Sequence, residues 1–168
     1  MRKQPVLLVM MTMILTGVGW PAAQGLSEIS PSAAFERLSQ PDTYLIDVRT
    51  IAEYVYVGHP EAAYNIPLLF WDEPNIQQVA NVNFVEDIKR RFKPNDTLLL
   101  ICRSGGRSAQ ALRMLRRAGF QNLLNVINGF EGQKDAEGLR TRNGWKNEGL
   151  AYTYTLDPNR IYQSSGLR

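Results

Sequence analysis

A strand, a loop and a helix are predicted in succession around the single cysteine of this chain. The apolar residues 97–101 lead directly into Cys102, a glycine-rich stretch comes next, and a helical pattern covers residues 104–118. Ala111 and Leu115 lie on the apolar face of that helix. A buried strand that passes straight into a helix is typical of parallel sheets. Ligands of such sheets bind where the strands end, so Cys102 lies where an active site is expected.

The remaining patterns alternate in the same way and predict an α/β fold, with a mostly parallel central sheet and helices on both faces. Further helices and strands are predicted over residues 31–40, 44–48, 63–66, 83–93 and 123–126. Ser30 and Pro31 suit a helix start. Gly119 suits a left-handed residue after the helix that follows Cys102, with Phe120 packing back on its last turn. Residues 68–82 show no clear pattern.

The first 25 residues predict a cleaved secretory signal. Arg2 and Lys3 precede an apolar stretch over residues 6–18, and small residues suit cleavage after Gly25 or, as an alternative, after Ala23. The apolar stretch is shorter than the roughly 20 residues that span a bilayer, which disfavours an uncleaved membrane anchor. Loss of the two basic residues lowers the formal net charge from +3 to +1, so the charge is no argument for nucleic-acid binding. We expect a periplasmic protein without stable membrane association.

A lone cysteine in an exported protein is inert, reactive or available for pairing with another molecule. The surroundings of Cys102 favour a reactive thiol, because Arg103, Arg107 and a helix start all stabilise a thiolate. The same positive field suits a small anionic substrate. One cysteine and one histidine, His59, cannot form a structural zinc site, so neither a metal nor a cofactor is predicted.

Two motifs occur in order along the chain. The first consists of Asp47-Val48-Arg49, Glu53-Tyr54, Gly58-His59 and Asn65-Ile66-Pro67. The second consists of Cys102-Arg103-Ser104-Gly105-Gly106-Arg107-Ser108, followed by Val126-Ile127-Asn128-Gly129-Phe130. Together, over about residues 30–135, they resemble the rhodanese family of sulfurtransferases. Three features depart from the family pattern: Pro60-Glu61-Ala62, a long stretch after Leu68, and a tail beyond residue 140.

The resemblance implies a rhodanese-like three-layer sandwich and sulfur transfer through Cys102. Its thiolate would attack the outer sulfur of thiosulfate or a related anionic donor, and the resulting persulfide would pass sulfur to a thiol, cyanide or a protein acceptor. The substrate-binding residues implied are Arg103, Ser104, Gly105, Gly106, Arg107 and Ser108. Their backbone N–H groups form an anion cradle, Gly105 and Gly106 supply positive φ values, and Arg103 and Arg107 hold the donor's oxygens.

The other motif residues are expected to be structural. Asp47 and Arg49 would fix strand ends, with Arg49 paired to Glu53. The family resemblance makes His59 a structural residue, the alternative being a Cys–His dyad with Cys102.

Three segments are expected along the chain: a signal over residues 1–25, a rhodanese-like domain over 26–140, and an extension over 141–168 that packs on or beside the domain. The extension carries Trp145, Tyr152, Tyr154 and Tyr162. These aromatic side chains either cover the edge of the core or line a partner surface.

Two other functions stay open. A cysteine phosphatase or arsenate reductase typically places five residues between its cysteine and the arginine that holds the oxyanion, whereas four separate Cys102 from Arg107. The second alternative is a sulfur carrier or partner-binding module that uses the aromatic tail.

Overall fold

A parallel sheet forms the centre of the computed structural model, which describes residues 27–163. The strands of these residues are β1 (Glu28–Ile29), β2 (Thr43–Asp47), β3 (His59–Pro60), β4 (Ala63–Asn65), β5 (Leu69–Asp72), β6 (Gln77–Ala80), β7 (Thr97–Ile101), β8 (Asn122–Val126), β9 (Gln133–Lys134), β10 (Arg140–Arg142) and β11 (Tyr152–Thr153). The helices are α1 (Pro31–Arg37), α2 (Ile51–Val57), α3 (Phe84–Lys89) and α4 (Gly106–Arg117). The predicted signal over residues 1–25 lies outside the described residues.

The central sheet has five strands in the order β1-β8-β7-β2-β4, and every neighbouring pair is parallel. Strand β7 lies in the middle of the sheet, and its side chains point alternately into two core layers. Leu98 and Leu100 pack with side chains of α3 and α4, whereas Leu99 and Ile101 pack with Ala34 of α1 and with α2. Helices therefore cover both faces, and the predicted three-layer α/β architecture is confirmed. Between residues 27 and 163, no helix is long and apolar enough to cross a membrane.

Helix α4 begins two residues later than predicted. Gly105 precedes it with φ +103°, a left-handed conformation that ends the loop and starts the helix at Gly106. At the other end Gly119 has φ +99°, and the Phe120 N–H donates to the carbonyl of Leu115 at 3.1 Å. Phe120 is buried beside Leu115, so the predicted left-handed helix end is confirmed.

Helix α2 and the hairpin of β5 and β6 are among the elements that were not predicted from the sequence. Helix α2 begins at a capping box in which Thr50 and Glu53 each bond to the backbone N–H of the other. Residues 68–82, which showed no clear pattern, contain the antiparallel pair β5 and β6. This hairpin carries the exposed side chains of Trp71 and Ile76.

Residues 141–163 of the extension pack against the domain. The domain was expected to end at residue 140, but β10, which begins there, pairs with β9 of the domain. Strand β11 pairs with β3. Trp145 is 1% exposed, and its backbone N–H donates to the Gly129 carbonyl at 2.9 Å. Its ring makes an edge-to-face contact with the ring of Phe35. Tyr162 is half-buried against the opposite core layer. These two aromatic residues cover the core edge, whereas Tyr152 and Tyr154 remain on the surface.

Trp145→Ala is expected to lower the free energy of unfolding by about 3–5 kcal/mol, because it removes a large buried side chain. Urea denaturation monitored by circular dichroism measures this loss. Trp71→Ala is the matched control: Trp71 is 50% exposed, and its replacement should cost about 1 kcal/mol or less. Equal losses for the two variants would show that the extension does not contribute to the core.

Candidate active site

Cys102 follows the last residue of β7, and its side chain belongs to the core layer that contains Leu98 and Leu100. The residue is 1% exposed. Its Sγ accepts two hydrogen bonds, from the Gly105 N–H at 3.1 Å and from the Ser108 hydroxyl at 3.3 Å. The sulfur is therefore held at the start of α4 by donors that favour negative charge.

The loop after Cys102 forms only part of the predicted cradle. Gly105 has the expected positive φ and directs its N–H at the sulfur. The positive φ expected at Gly106 is wrong, because Gly106 is the first residue of α4. Its N–H and that of Arg107 lie in the first helical turn, where backbone donors have no partner within the helix. These donors are available to an anion at the helix start.

A tight turn after β8 holds this loop from behind. The Phe130 N–H donates to the Cys102 carbonyl at 2.8 Å, and the Glu131 N–H donates to the Arg103 carbonyl at 3.0 Å. Gly129 has φ +59°, and a Cβ built on it would lie 2.3 Å from the Cys102 carbonyl oxygen. The close approach of two backbone segments thus requires glycine at this position.

Arg107 forms an ion pair with Glu53. Its Nη1 and Nη2 donate to Glu53 Oε2 and Oε1 at 2.7 and 2.6 Å, and the two side chains are 16% and 19% exposed. The Thr50 N–H and hydroxyl donate to the same carboxylate at 3.1 and 3.0 Å. Burial alone would raise the pKa of Glu53, but the Arg107 charge and these hydrogen bonds lower it to about 2. Glu53 is thus ionised at neutral pH.

The predicted pairing of Arg49 with Glu53 is wrong, because Arg49 pairs with Asp47 instead. Arg49 Nη2 and Nε lie 2.6 and 2.9 Å from Asp47 Oδ2, and both residues are fully buried. Nη2 also donates to the Gly58 carbonyl at 2.8 Å, and the guanidinium lies 4.3 Å from the centre of the Phe130 ring. Arg49 therefore joins the end of β2 to the turn that supports the cysteine loop.

His59 has a structural environment. Its ring stacks on Tyr54 with 3.6 Å between the centroids, and its Nδ1 lies 3.0 Å from the Tyr54 carbonyl oxygen. Burial lowers the pKa of His59, which favours the neutral imidazole. Among residues 27–163, only Gly105 and Ser108 form hydrogen bonds to the sulfur of Cys102, so His59 does not form a dyad with Cys102.

An open pocket of about 290 Å³ lies over the loop. It is lined by Leu69, Gln78, Cys102, Arg103, Ser104, Gly106 and Arg107. Leu69 and Gln78 come from the β5–β6 hairpin, whose contribution the sequence did not predict. The exposed Arg103 guanidinium has no carboxylate partner within residues 27–163. No cluster of three potential metal ligands occurs in that same range.

Comparison with known proteins agrees with this geometry. The model of the family described as "Rhodanese-like domain" matches residues 30–136, which is more than half of the chain. The chain is a member of the rhodanese family. Its cysteine loop, the capping box that supplies Glu53 and the turn at Gly129 all fall inside the matched residues.

Two relatives and one solved structure indicate the breadth of the similarity. The chain is 32% identical over 104 residues to thiosulfate sulfurtransferase 16, chloroplastic, of Arabidopsis thaliana, covering 62% of this chain and 83% of that protein. It is 28% identical over 120 residues to the senescence-associated protein DIN1 of Raphanus sativus, covering 70% of this chain but only 64% of that one. The crystal structure of Rv0390 from M. tuberculosis superposes with a TM-score of 0.69 at 32% identity, over 77% and 98% of the two chains.

Proposed function

We propose that this rhodanese-family protein is a sulfurtransferase that carries sulfane sulfur as a persulfide on Cys102. The observation that carries the proposal is the position of the Cys102 sulfur, which accepts hydrogen bonds from Gly105 and Ser108 at the floor of an open pocket. The name of the Arabidopsis relative, a thiosulfate sulfurtransferase, is consistent with this chemistry.

The reaction has two nucleophilic displacements. In the first, the Cys102 thiolate attacks the outer sulfur of thiosulfate; a sulfur–sulfur bond forms to Cys102, the bond between the two donor sulfurs breaks, and sulfite leaves with the bonding electron pair. In the second, an acceptor such as cyanide attacks the outer sulfur of the persulfide. The Cys102 thiolate then leaves and thiocyanate is released. Neither step changes the net charge of the system, and neither needs an external oxidant or proton donor.

The persulfide needs anion stabilisation, which the loop supplies. The outer sulfur extends from a buried Cys102 towards the pocket, where the N–H groups of Gly106 and Arg107 begin α4. Arg103 adds a positive charge at the rim without a competing carboxylate. Donors aligned in this way before the reaction stabilise developing negative charge at little reorganisation cost.

We further propose that the protein acts in the periplasm, with a small anionic sulfur donor and a thiol, cyanide or protein acceptor. The export signal predicted over residues 1–25 supports this location. The phosphatase and arsenate reductase alternative is disfavoured, because Arg107, the arginine that would hold a tetrahedral oxyanion, is paired with Glu53.

Cys102→Ser tests the proposal. Thiosulfate-to-cyanide sulfur transfer, measured as thiocyanate, should fall by about 10⁴-fold or more, because the hydroxyl cannot replace the thiolate as nucleophile. Intact-mass analysis after thiosulfate treatment should show the addition of one sulfur atom to the wild-type protein and none to the variant. Turnover that persists in a folded Cys102→Ser protein would contradict the proposal.

A further inference from the structure

The pocket above Cys102 contains less positive charge than its two arginines suggest. Arg107 lines the pocket, but both of its terminal nitrogens donate to the Glu53 carboxylate at 2.7 and 2.6 Å. Leu69, Gln78 and Ser104 contribute uncharged walls. Among the residues that line the pocket, Arg103 alone carries a positive charge with no carboxylate partner within residues 27–163.

Glu53 is not free to release Arg107 when a donor arrives. Its carboxylate also accepts the N–H and the hydroxyl of Thr50, and it closes the capping box that starts α2. Both partners of the ion pair are less than a fifth exposed, so the charges attract each other strongly and are screened little by salt. If an oxyanion took the place of Glu53 on Arg107, the two charge-assisted hydrogen bonds between Arg107 and Glu53 would break. The Glu53 carboxylate, still held by Thr50, would then lose its cation in a partly buried site.

We infer that the Glu53–Arg107 ion pair selects the charge of the sulfur donor, and that this pocket favours sulfane donors with one negative charge over dianions. The inference rests on the proposed sulfur transfer through Cys102 and assigns Glu53 as a specificity-determining residue. A singly charged donor needs only one cation, which Arg103 provides at the rim. A dianion such as thiosulfate brings a second charge, and the cation that could balance it is already neutralised.

A pair of matched donors isolates the effect of charge. Thiosulfate and methanethiosulfonate both present a terminal sulfur on a tetrahedral sulfonyl centre, and they differ in that a methyl group replaces one charged oxygen. In both reactions the Cys102 thiolate takes the outer sulfur. Sulfite leaves from thiosulfate, and methanesulfinate leaves from methanethiosulfonate, each with the bonding electron pair. The measured quantity is the selectivity, defined as kcat/KM for thiosulfate divided by kcat/KM for methanethiosulfonate, with cyanide as acceptor.

The selectivity of each variant is compared with that of the wild-type protein, so the intrinsic difference in reactivity between the two leaving groups cancels. Glu53→Gln leaves the Arg107 charge uncompensated and should raise the selectivity for thiosulfate by about tenfold or more, the effect of one added charge-assisted interaction. Arg107→Gln leaves the Glu53 carboxylate uncompensated beside the pocket and should lower the selectivity by a similar factor. The double variant removes both charges and should return the selectivity to about the wild-type value.

These outcomes separate a specificity role from a structural one, because loss of packing would slow both donors alike. If Glu53→Gln does not fold, the opposite shift expected for Arg107→Gln still tests the inference. A selectivity that stays constant in the folded variants, or that moves in the same direction in both single variants, would overturn it. Failure of the proposed function is a different result: the wild-type protein would then form no persulfide on Cys102 with either donor.

Discussion

Arg49→Met is expected to lower the free energy of unfolding by about 3–5 kcal/mol, the usual cost of removing one partner from a buried ion pair. Asp47 is fully buried, and among the donors of residues 27–163 its carboxylate would keep only the backbone N–H of residue 49. The change would also remove the hydrogen bond to the Gly58 carbonyl and the contact with the Phe130 ring. Urea denaturation of the variant and of the wild-type protein measures the difference.

Two further variants test whether the unpaired buried charge causes that loss of stability. Arg113→Met makes the same chemical change at an exposed position of α4 and should alter stability by about 0.5 kcal/mol or less. Asp47→Asn added to Arg49→Met should recover part of the lost stability, because it removes the unpaired buried charge and retains an oxygen for the N–H of residue 49. A cost below about 1 kcal/mol for Arg49→Met alone would show that the buried pair contributes little.

Gly129→Ala is expected to reduce sulfur transfer by about 100-fold or more, because a catalytic group displaced by about 1 Å loses this much rate. The added Cβ would meet the Cys102 carbonyl oxygen at 2.3 Å and the Ser104 backbone nitrogen at 2.7 Å. Backbone atoms cannot swing aside as a side chain can, so the loop that carries the nucleophile must move. Strain at φ +59° and the clash together should cost about 2–5 kcal/mol of stability.

Gly138→Ala provides the matched control for this prediction. Gly138 also has a positive φ, +86°, but a Cβ built on it meets no heavy atom within 4 Å. Its replacement should therefore cost only the backbone strain of about 1–2 kcal/mol and leave sulfur transfer close to the wild-type rate. If the two alanine variants lost activity equally, the close approach of the Gly129 turn to the loop would not be what positions Cys102.

The strand, loop and helix around Cys102 could be predicted because local signals agree there. An apolar run, two glycines and a strongly periodic helix all occur within about twenty residues, and the C-terminal glycine marks the helix end. Helix α2 was missed although Thr50 and Glu53 form a recognisable capping box. The Tyr-Val-Tyr-Val run over residues 54–57 has a strong strand preference, which packing of Tyr54 into the core overrides.

The charge state of the pocket could not be predicted, because it depends on contacts between distant parts of the chain. Glu53 and Arg107 are 54 residues apart, and no local spacing connects them. The nearer Arg49 was an equally reasonable partner for Glu53 until the structure showed it buried against Asp47. Leu69 and Gln78 enter the pocket on a hairpin with few buried side chains, so its strands lack the apolar alternation that would have identified them.

Cys102 shares one face of the sheet with Leu98 and Leu100, so the position of the nucleophile depends on the alignment of β7 with its neighbours. A shift of β7 by one residue against β2 would turn every side chain to the opposite face. The thiol would then leave its pocket at the same moment as two leucines left their core layer. The opposite face of β7 is also apolar, with Leu99 and Ile101 in the second core layer, so the apolar pattern alone does not exclude this shift. The alignment is set by the fit of individual side chains in the two layers and by the hydrogen bonds from Phe130 and Glu131 to the cysteine loop, and the position of the nucleophile depends on both.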